Sequence, residues 1–129
     1  MKPENKYCTE EQAMKLRSLG VIQDGTAAWL DGVLYSFLDK PDAKFSGFNK
    51  SAIAFDVAEL LQLAPSCFTI NRFSLGFEAW YNDSIPIMES EVYDNPAQAA
   101  AELLIRIIEH NLIAVEEVNK RLLAGPKKK

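Results

Sequence analysis

The stretch that most constrains the fold of this chain is residues 95–123, which predicts a helix, a stop and a second helix. Asn95 suits an N-cap, Pro96 suits the first helical position, and Gln98 can complete a capping box. The apolar residues that follow cover an arc of roughly 200° around the helix, which leaves one polar stripe. Most of the surroundings of such a helix must therefore pack against it.

The end of this helix is also marked in the sequence. Asn111 is suited to a left-handed stop, after which Leu112 can fold back onto Ile107 as in a Schellman ending. A short last helix is predicted from Ile113 to a stop at Gly125.

Two earlier helix starts carry complete capping boxes. Thr9 is followed three residues later by Gln12, and Asp56 is followed three residues later by Glu59. Both patterns predict the start of a short amphipathic helix, and neither indicates a function.

A dipeptide turn predicts the first pair of strands. Asp31-Gly32 lies between two apolar runs, which is typical of a hairpin with a two-residue turn. Pairing across this turn places Leu30 beside Val33, and apolar residues occur on both faces. We therefore expect both faces of this hairpin to be covered.

A second hairpin is predicted from residues 67–74 and 77–82, which are rich in aromatic and β-branched side chains. Residues 85–88 are interpreted as a possible edge strand, and residues 39–50 as a loop with two Phe anchors. The predicted fold is α+β in the order α-β-β-α-β-β-α-α, with two mostly antiparallel hairpins packed on a long C-terminal helix.

Composition sets the domain organisation and the class of protein. With 129 residues, of which 48% are hydrophobic, the chain predicts a single α+β domain over residues 1–129, with flexible tails at 1–7 and 125–129. The formal net charge of −4 already includes the lysines of 127–129, so the remainder is more acidic and broad phosphate binding is disfavoured. The sequence contains no signal-type or membrane-spanning apolar run and only two cysteines, so we expect a cytoplasmic location with reduced thiols.

Several short patches of this sequence resemble a family of small uncharacterised proteins encoded by bacteriophages and mobile elements of gut bacteria. The matching positions are Cys8-Thr9, Glu11-Gln12-Ala13, Leu16, Leu19-Gly20-Val21, Trp29, the run 54–60, Leu104-Ile105, Ile108-Glu109 and Asn111-Leu112-Ile113. Residues 39–50 and 69–88 depart from the family pattern, and Asp56 stands where the family often has Thr. The resemblance implies a phage or prophage origin in a bacterial cytoplasm, and it implies no activity, cofactor or catalytic residue.

Candidate chemical groups are few. Cys8 precedes a helix start, where a thiol pKa can be lowered, but no base is evident nearby and a structural role is favoured. His110, the single histidine, is interpreted as a cap at a helix end. Glu89, Glu91 and Asp94 form an acidic cluster that is a weak candidate for a metal site, with a solvated surface as the favoured interpretation. We therefore assign no catalytic residue, no metal site and no cofactor.

Aromatic side chains provide the candidate binding residues. Trp29, Tyr35, Trp80 and Tyr81 lie on predicted strands and, where they face outwards, would form a surface for stacking or protein docking. The alternative is that they fill the core. Basic residues are scattered along the chain, so nucleic-acid binding is disfavoured.

Three functional hypotheses follow. The leading one is a non-enzymatic accessory protein that acts by binding another protein or a second copy of itself. The alternatives are a small enzyme or ligand-binding domain, with a pocket between the sheet and the long helix, and a weak nucleic-acid binder.

Overall fold

The computed structural model describes residues 6–23, 25–36, 51–82 and 88–124, and these form an α+β fold of helices and two small antiparallel sheets. The elements in chain order are α1 (Glu10–Ser18), β1 (Ala27–Leu30), β2 (Val33–Ser36), β3 (Ser51–Ile53), α2 (Val57–Leu63), β4 (Phe68–Phe73), β5 (Gly76–Tyr81), β6 (Met88–Glu89), α3 (Pro96–Glu109) and α4 (Val115–Ala124). The predicted fold class is confirmed. The predicted order also holds, with the short strands β3 and β6 added to it.

Helix α3 lies at the centre of the core. Nine of its 14 residues are buried, on all but one side of the helix: Ala97, Ala99, Ala100, Ala101, Leu103, Leu104, Ile105, Ile107 and Ile108. It packs against α1, α2, β4 and β5. The wide apolar arc seen in the sequence is therefore matched by packing from several directions.

The N-terminus of α3 is fixed by Asn95, which is itself buried. Its Oδ1 accepts a hydrogen bond from Ala97 N at 2.7 Å, and its Nδ2 donates to the carbonyl oxygen of Tyr7 at 2.9 Å. The predicted cap residue is confirmed, but it caps the second helical residue, whereas a capping box with Gln98 would use the third. One side chain thus joins the helix to Tyr7, near the start of the described residues.

The C-terminus of α3 has the predicted Schellman geometry. Asn111 adopts a left-handed conformation with φ 58°, Leu112 N donates to Ile107 O at 2.9 Å, and Asn111 N donates to Ile108 O at 3.1 Å. The side chain of Leu112 remains 42% exposed. The stop is therefore made mainly by the backbone.

The first sheet has the strand order β2-β1-β3. Leu30 lies opposite Val33, as predicted, and both turn residues have positive φ, 49° for Asp31 and 85° for Gly32, as a type I′ turn requires. The sheet has apolar clusters on both faces, which confirms the expected two-sided cover. Residues 39–50, the predicted loop, lie outside the described residues.

The second sheet has the order β4-β5-β6 and presents two distinct faces. Its inner face packs into the core through Phe68, Ile70, Ala79 and Tyr81. The residues paired on its outer face are Thr69, Asn71, Phe73, Gly76, Glu78, Trp80 and Glu89. Of the predicted edge strand at 85–88, only Met88 lies within the described residues, and it belongs to β6.

The two sheets contact the helices differently, which corrects one feature of the predicted architecture. The second hairpin packs on α3, as predicted, whereas the first sheet packs on α1 through β3. Because α1 contacts both β3 and α3, it links the first sheet to α3.

The last helix is tied to the segment after α1 by a single side chain. Asn119 Oδ1 accepts from Ile22 N at 2.7 Å, and its Nδ2 donates to Gly20 O at 2.9 Å.

At the other end of the chain, Tyr7 is only 9% exposed and forms a β-bridge with Asp56. Tyr7, the last residue of the tail predicted for residues 1–7, is therefore packed and paired, while residues 1–5 and 125–129 lie outside the described residues.

Two glycines with positive φ predict different responses to substitution. In Gly76→Ala, at φ 142°, the new Cβ would overlap the carbonyl oxygen of Tyr93; at Gly32, with φ 85°, it would meet nothing within 4 Å. We expect Gly32→Ala to lower the free energy of unfolding by about 1–2 kcal/mol through backbone strain alone. Gly76→Ala should lower it further, since backbone must also move. Urea denaturation of both variants measures this difference, and equal losses would contradict the close approach of Tyr93.

Candidate functional site

Cys8 is a core residue rather than a reactive thiol. Its side chain is 0% exposed, and Trp29 Nε1 donates to its carbonyl oxygen at 3.0 Å. Burial raises the pKa of the Cys8 thiol to about 12, because hydrogen bonds with the backbone of Phe55 and of Cys8 itself lower it less than desolvation raises it. The thiol is therefore protonated at neutral pH, and the structural interpretation is supported.

This burial predicts different reactivity of the two thiols. Cys67 is exposed, so we expect one equivalent of the chain's thiol to react rapidly with a disulfide reagent such as DTNB, and the second only after unfolding. Cys67→Ser should abolish the rapid phase, and Cys8→Ser should leave it intact. A rapid phase of two equivalents from the folded protein would show that Cys8 is accessible.

His110 and the acidic cluster do not form a catalytic arrangement. His110 is exposed at the C-cap of α3, where its backbone N–H donates to Arg106 O at 2.9 Å. Glu89, Glu91 and Asp94 are exposed. Across the described residues, no group of three or more His, Cys, Asp or Glu side chains is placed to hold a metal ion. The acidic cluster is therefore not supported as a metal site.

A groove of about 860 Å³ lies between α1 and α3. Its lining residues are Thr9, Glu11, Gln12, Met14, Lys15, Ser18, Tyr93, Glu102, Ile105, Arg106 and Glu109. The alternative hypothesis of a ligand-binding domain placed a pocket between the sheet and the long helix, whereas this groove runs between two helices that are distant in the chain.

Most polar groups in this groove are already hydrogen-bonded within the protein. Gln12 exchanges capping-box hydrogen bonds with Thr9 at 3.1 Å, and Ser18 Oγ donates to Lys15 O at 2.7 Å. Lys15 Nζ also pairs with Glu109 across the groove at 2.9 Å. A ligand would have to replace these bonds, so the groove offers few free polar groups for recognition.

Glu102 joins one wall of the groove to the segment that follows β6. Its Oε1 accepts from Glu91 N at 2.8 Å, and its Oε2 pairs with Arg106 Nη2 at 3.1 Å. Partial burial, followed by the hydrogen bond and the charge of Glu102, raises the pKa of Tyr93 to about 12, despite the opposing charge of Arg106. This carboxylate therefore holds residues 91–93 against α3.

The role of Glu102 can be tested by Glu102→Gln, which keeps the shape of the side chain and removes its charge. Since the Glu102 side chain is only 15% exposed, we expect the free energy of unfolding to fall by about 1–3 kcal/mol. Glu109→Gln is the matched control, because the Lys15 pair is exposed, and it should change stability by less than about 1 kcal/mol. Similar losses in the two variants would contradict a special role for Glu102.

The same variant should also change an alkaline titration. In Glu102→Gln the pKa of Tyr93 should fall from about 12 and remain above the ordinary value of 10.0, because burial still raises it. The ionisation of Tyr93 is followed by ultraviolet absorbance, from which the titration of the Tyr93→Phe variant is subtracted. Since the folded-state pKa is raised, the stability contributed by Tyr93 is complete below about pH 10 and is lost as the pH rises towards 12.

The four predicted aromatic binding residues do not form one surface. Trp29 and Tyr35 lie on opposite faces of the first sheet and are half-buried against its apolar clusters. Tyr81 is 7% exposed and belongs to the core, because it points to the inner face of the second sheet. Trp80, the preceding residue, points to the outer face.

An apolar patch surrounds the turn of the second hairpin, and we call Phe73, Leu75, Trp80 and Val92 the hairpin-tip patch. Phe73 is 45% exposed, Leu75 83% and Val92 47%. The rings of Phe73 and Trp80 lie 6.3 Å apart, and Val92 Cγ1 lies 3.2 Å from the position that a Cβ on Gly76 would take. Sequence reasoning missed Leu75 and Val92. The signal that could have indicated Leu75 was a leucine in a two-residue turn, because turns favour polar residues and glycine.

Comparison with known proteins identifies no relative of this chain. No family model, no curated protein and no solved structure matches this chain at a significant level. In the described part of the chain, no helix is both long enough and apolar enough to cross a membrane.

Proposed function

We propose that this protein is a non-enzymatic accessory protein that acts by binding another protein through the hairpin-tip patch. The observation that supports this most is the clustering of Phe73, Leu75 and Val92, each more than 40% exposed, around one turn. Single exposed apolar residues are common, but a contiguous apolar group on the surface favours an interaction site. The aromatic residues Phe73 and Trp80 are of the type enriched at such sites.

The groove supports this proposal by contrast. A small-molecule site needs convergent polar groups that are free to bind, whereas Thr9, Gln12 and Ser18 use their side chains in bonds within the protein. Cys8 is buried in the core, and His110, exposed at the C-cap of α3, is not one of the residues that line the groove. These placements favour protein binding over catalysis in the groove.

We also propose that the protein belongs to a bacteriophage or mobile element and works in the cytoplasm of a bacterial host. The resemblance described above supports this origin, through patches at Cys8-Thr9, at residues 54–60 and along α3. The neighbouring genes test it: phage or transfer genes on both sides are expected, and a conserved setting among housekeeping genes would contradict it.

The binding role is tested with a variant that removes the patch and keeps strand and turn residues, Phe73→Thr with Leu75→Ser. The wild-type protein should retain one or more proteins from a lysate of the bacterium that carries the gene, or should show a mass by light scattering above that of the monomer. The double variant should lose this association by about tenfold or more, since central aromatic and aliphatic contacts dominate interfaces.

Leu61→Ser is the matched control, because Leu61 is 43% exposed on α2, away from the patch in the chain. It should leave the association unchanged. Equal retention and equal mass for the wild type and the Phe73/Leu75 variant, with both folded by circular dichroism, would exclude the patch as the binding surface.

A further inference from the structure

We infer that the partner segment bound at the hairpin-tip patch is cationic as well as apolar, which rests on the proposed function. The outer face of the second sheet carries the carboxylates of Glu78 and Glu89, and none of its described strand residues is Lys or Arg. Glu78 and Glu89 flank Trp80 directly: Glu78 Oε1 accepts from Trp80 Nε1 at 2.7 Å, and Glu89 is the β-partner of Trp80. The aromatic part of the patch is thus bordered by negative charge.

The segment beside the patch has the same sign of charge. Glu91 directly precedes Val92 in the chain, Asp94 follows it by two residues, and both are exposed. Among the described residues, two cationic side chains lie close to the patch in the chain or the sheet. Arg72 adjoins Phe73 but belongs to the other face of the hairpin, and Arg106, which donates to Glu89 O at 3.1 Å, is paired with Glu102. Glu89 and Glu91, two members of the acidic cluster noted in the sequence, therefore form part of the border of an apolar surface.

This charge pattern decides between two occupants. A second copy docked through the same patch would bring identical acidic borders together, because a twofold interface pairs a surface with itself. Like charges across an interface oppose association, whereas lysine or arginine residues beside apolar anchors would complement the border. The surface therefore fits a segment that combines apolar side chains with positive charges, rather than a second copy of this chain.

The test uses short fluorescent synthetic peptides and the full chain, with binding measured by anisotropy. A peptide of alternating Leu and Lys should bind, whereas alternating Leu and Glu, or alternating Ser and Lys, should bind at least about tenfold more weakly. Binding of the Leu/Lys peptide should also weaken as salt is raised beyond 0.1 M, where the Debye length is about 10 Å.

Two double variants separate the apolar and charged contributions. Phe73→Thr with Leu75→Ser should weaken binding of the Leu/Lys peptide by about tenfold or more. Glu78→Gln with Glu89→Gln keeps the acceptor for Trp80 Nε1 and should weaken binding by about threefold to tenfold, with a smaller salt dependence. Glu116→Gln with Glu117→Gln makes the same charge change on the exposed surface of α4 and should have no effect.

The outcomes distinguish this inference from the proposed function. Equal binding of the Leu/Lys and Leu/Glu peptides, or equal losses in the two glutamate variants, would overturn the cationic partner and leave protein binding at the patch intact. A stable dimer that is dissociated by the Phe73/Leu75 variant would replace the cationic segment with a second copy. If the Phe73/Leu75 variant alters neither peptide binding, self-association nor lysate retention, then the proposed function itself is wrong.

Discussion

Burial of α3 is the constraint on which the rest of the structure depends. A fully buried Leu or Ile side chain contributes about 1.5–3 kcal/mol, and a domain of this size is stable by only about 5–15 kcal/mol in total. Leu103, Leu104 and Ile107 alone, all 0% exposed, therefore contribute free energy comparable to the whole net stability. Because the apolar arc is so wide, α1, α2 and β5 must all pack on it. The first sheet is then left to pack on α1 through β3.

The sequence predicted the features that a few neighbouring residues determine. The two complete capping boxes, the type I′ turn at Asp31-Gly32 and the backbone stop at Asn111 each need only local geometry, so they could be predicted without knowledge of the tertiary structure. Strands β3 and β6 have three and two residues, too short for a period-2 pattern. They exist because distant partners pair with them, as Ala28 does with Ile53.

The candidate site was less predictable because the face on which a side chain lies depends on register and cover. Trp80 and Tyr81 are consecutive and equally aromatic, yet only Tyr81 lies in the core. Both faces of the strand carry apolar residues, so composition alone could not decide between them. The groove was missed for a related reason. Its walls come from opposite ends of the chain and meet where Gln12 Nε2 donates to Gln98 O at 2.9 Å.

The polar side chains of the groove are already hydrogen-bonded within the protein, whereas the apolar side chains of the hairpin-tip patch are exposed to solvent. This difference favours the patch as the proposed binding surface. In the groove, Glu102 is fixed by bonds from Glu91 and Arg106, which stabilise the fold whether or not a ligand exists. Leu75 gives no such benefit, since it is 83% exposed in a turn where a polar residue or glycine would serve the backbone better. An exposed apolar side chain that contributes little to the stability of the fold contributes favourable free energy only when a partner covers it. In the proposed complex, the acidic side chains around Leu75 and the rest of the patch would restrict which partner can cover it.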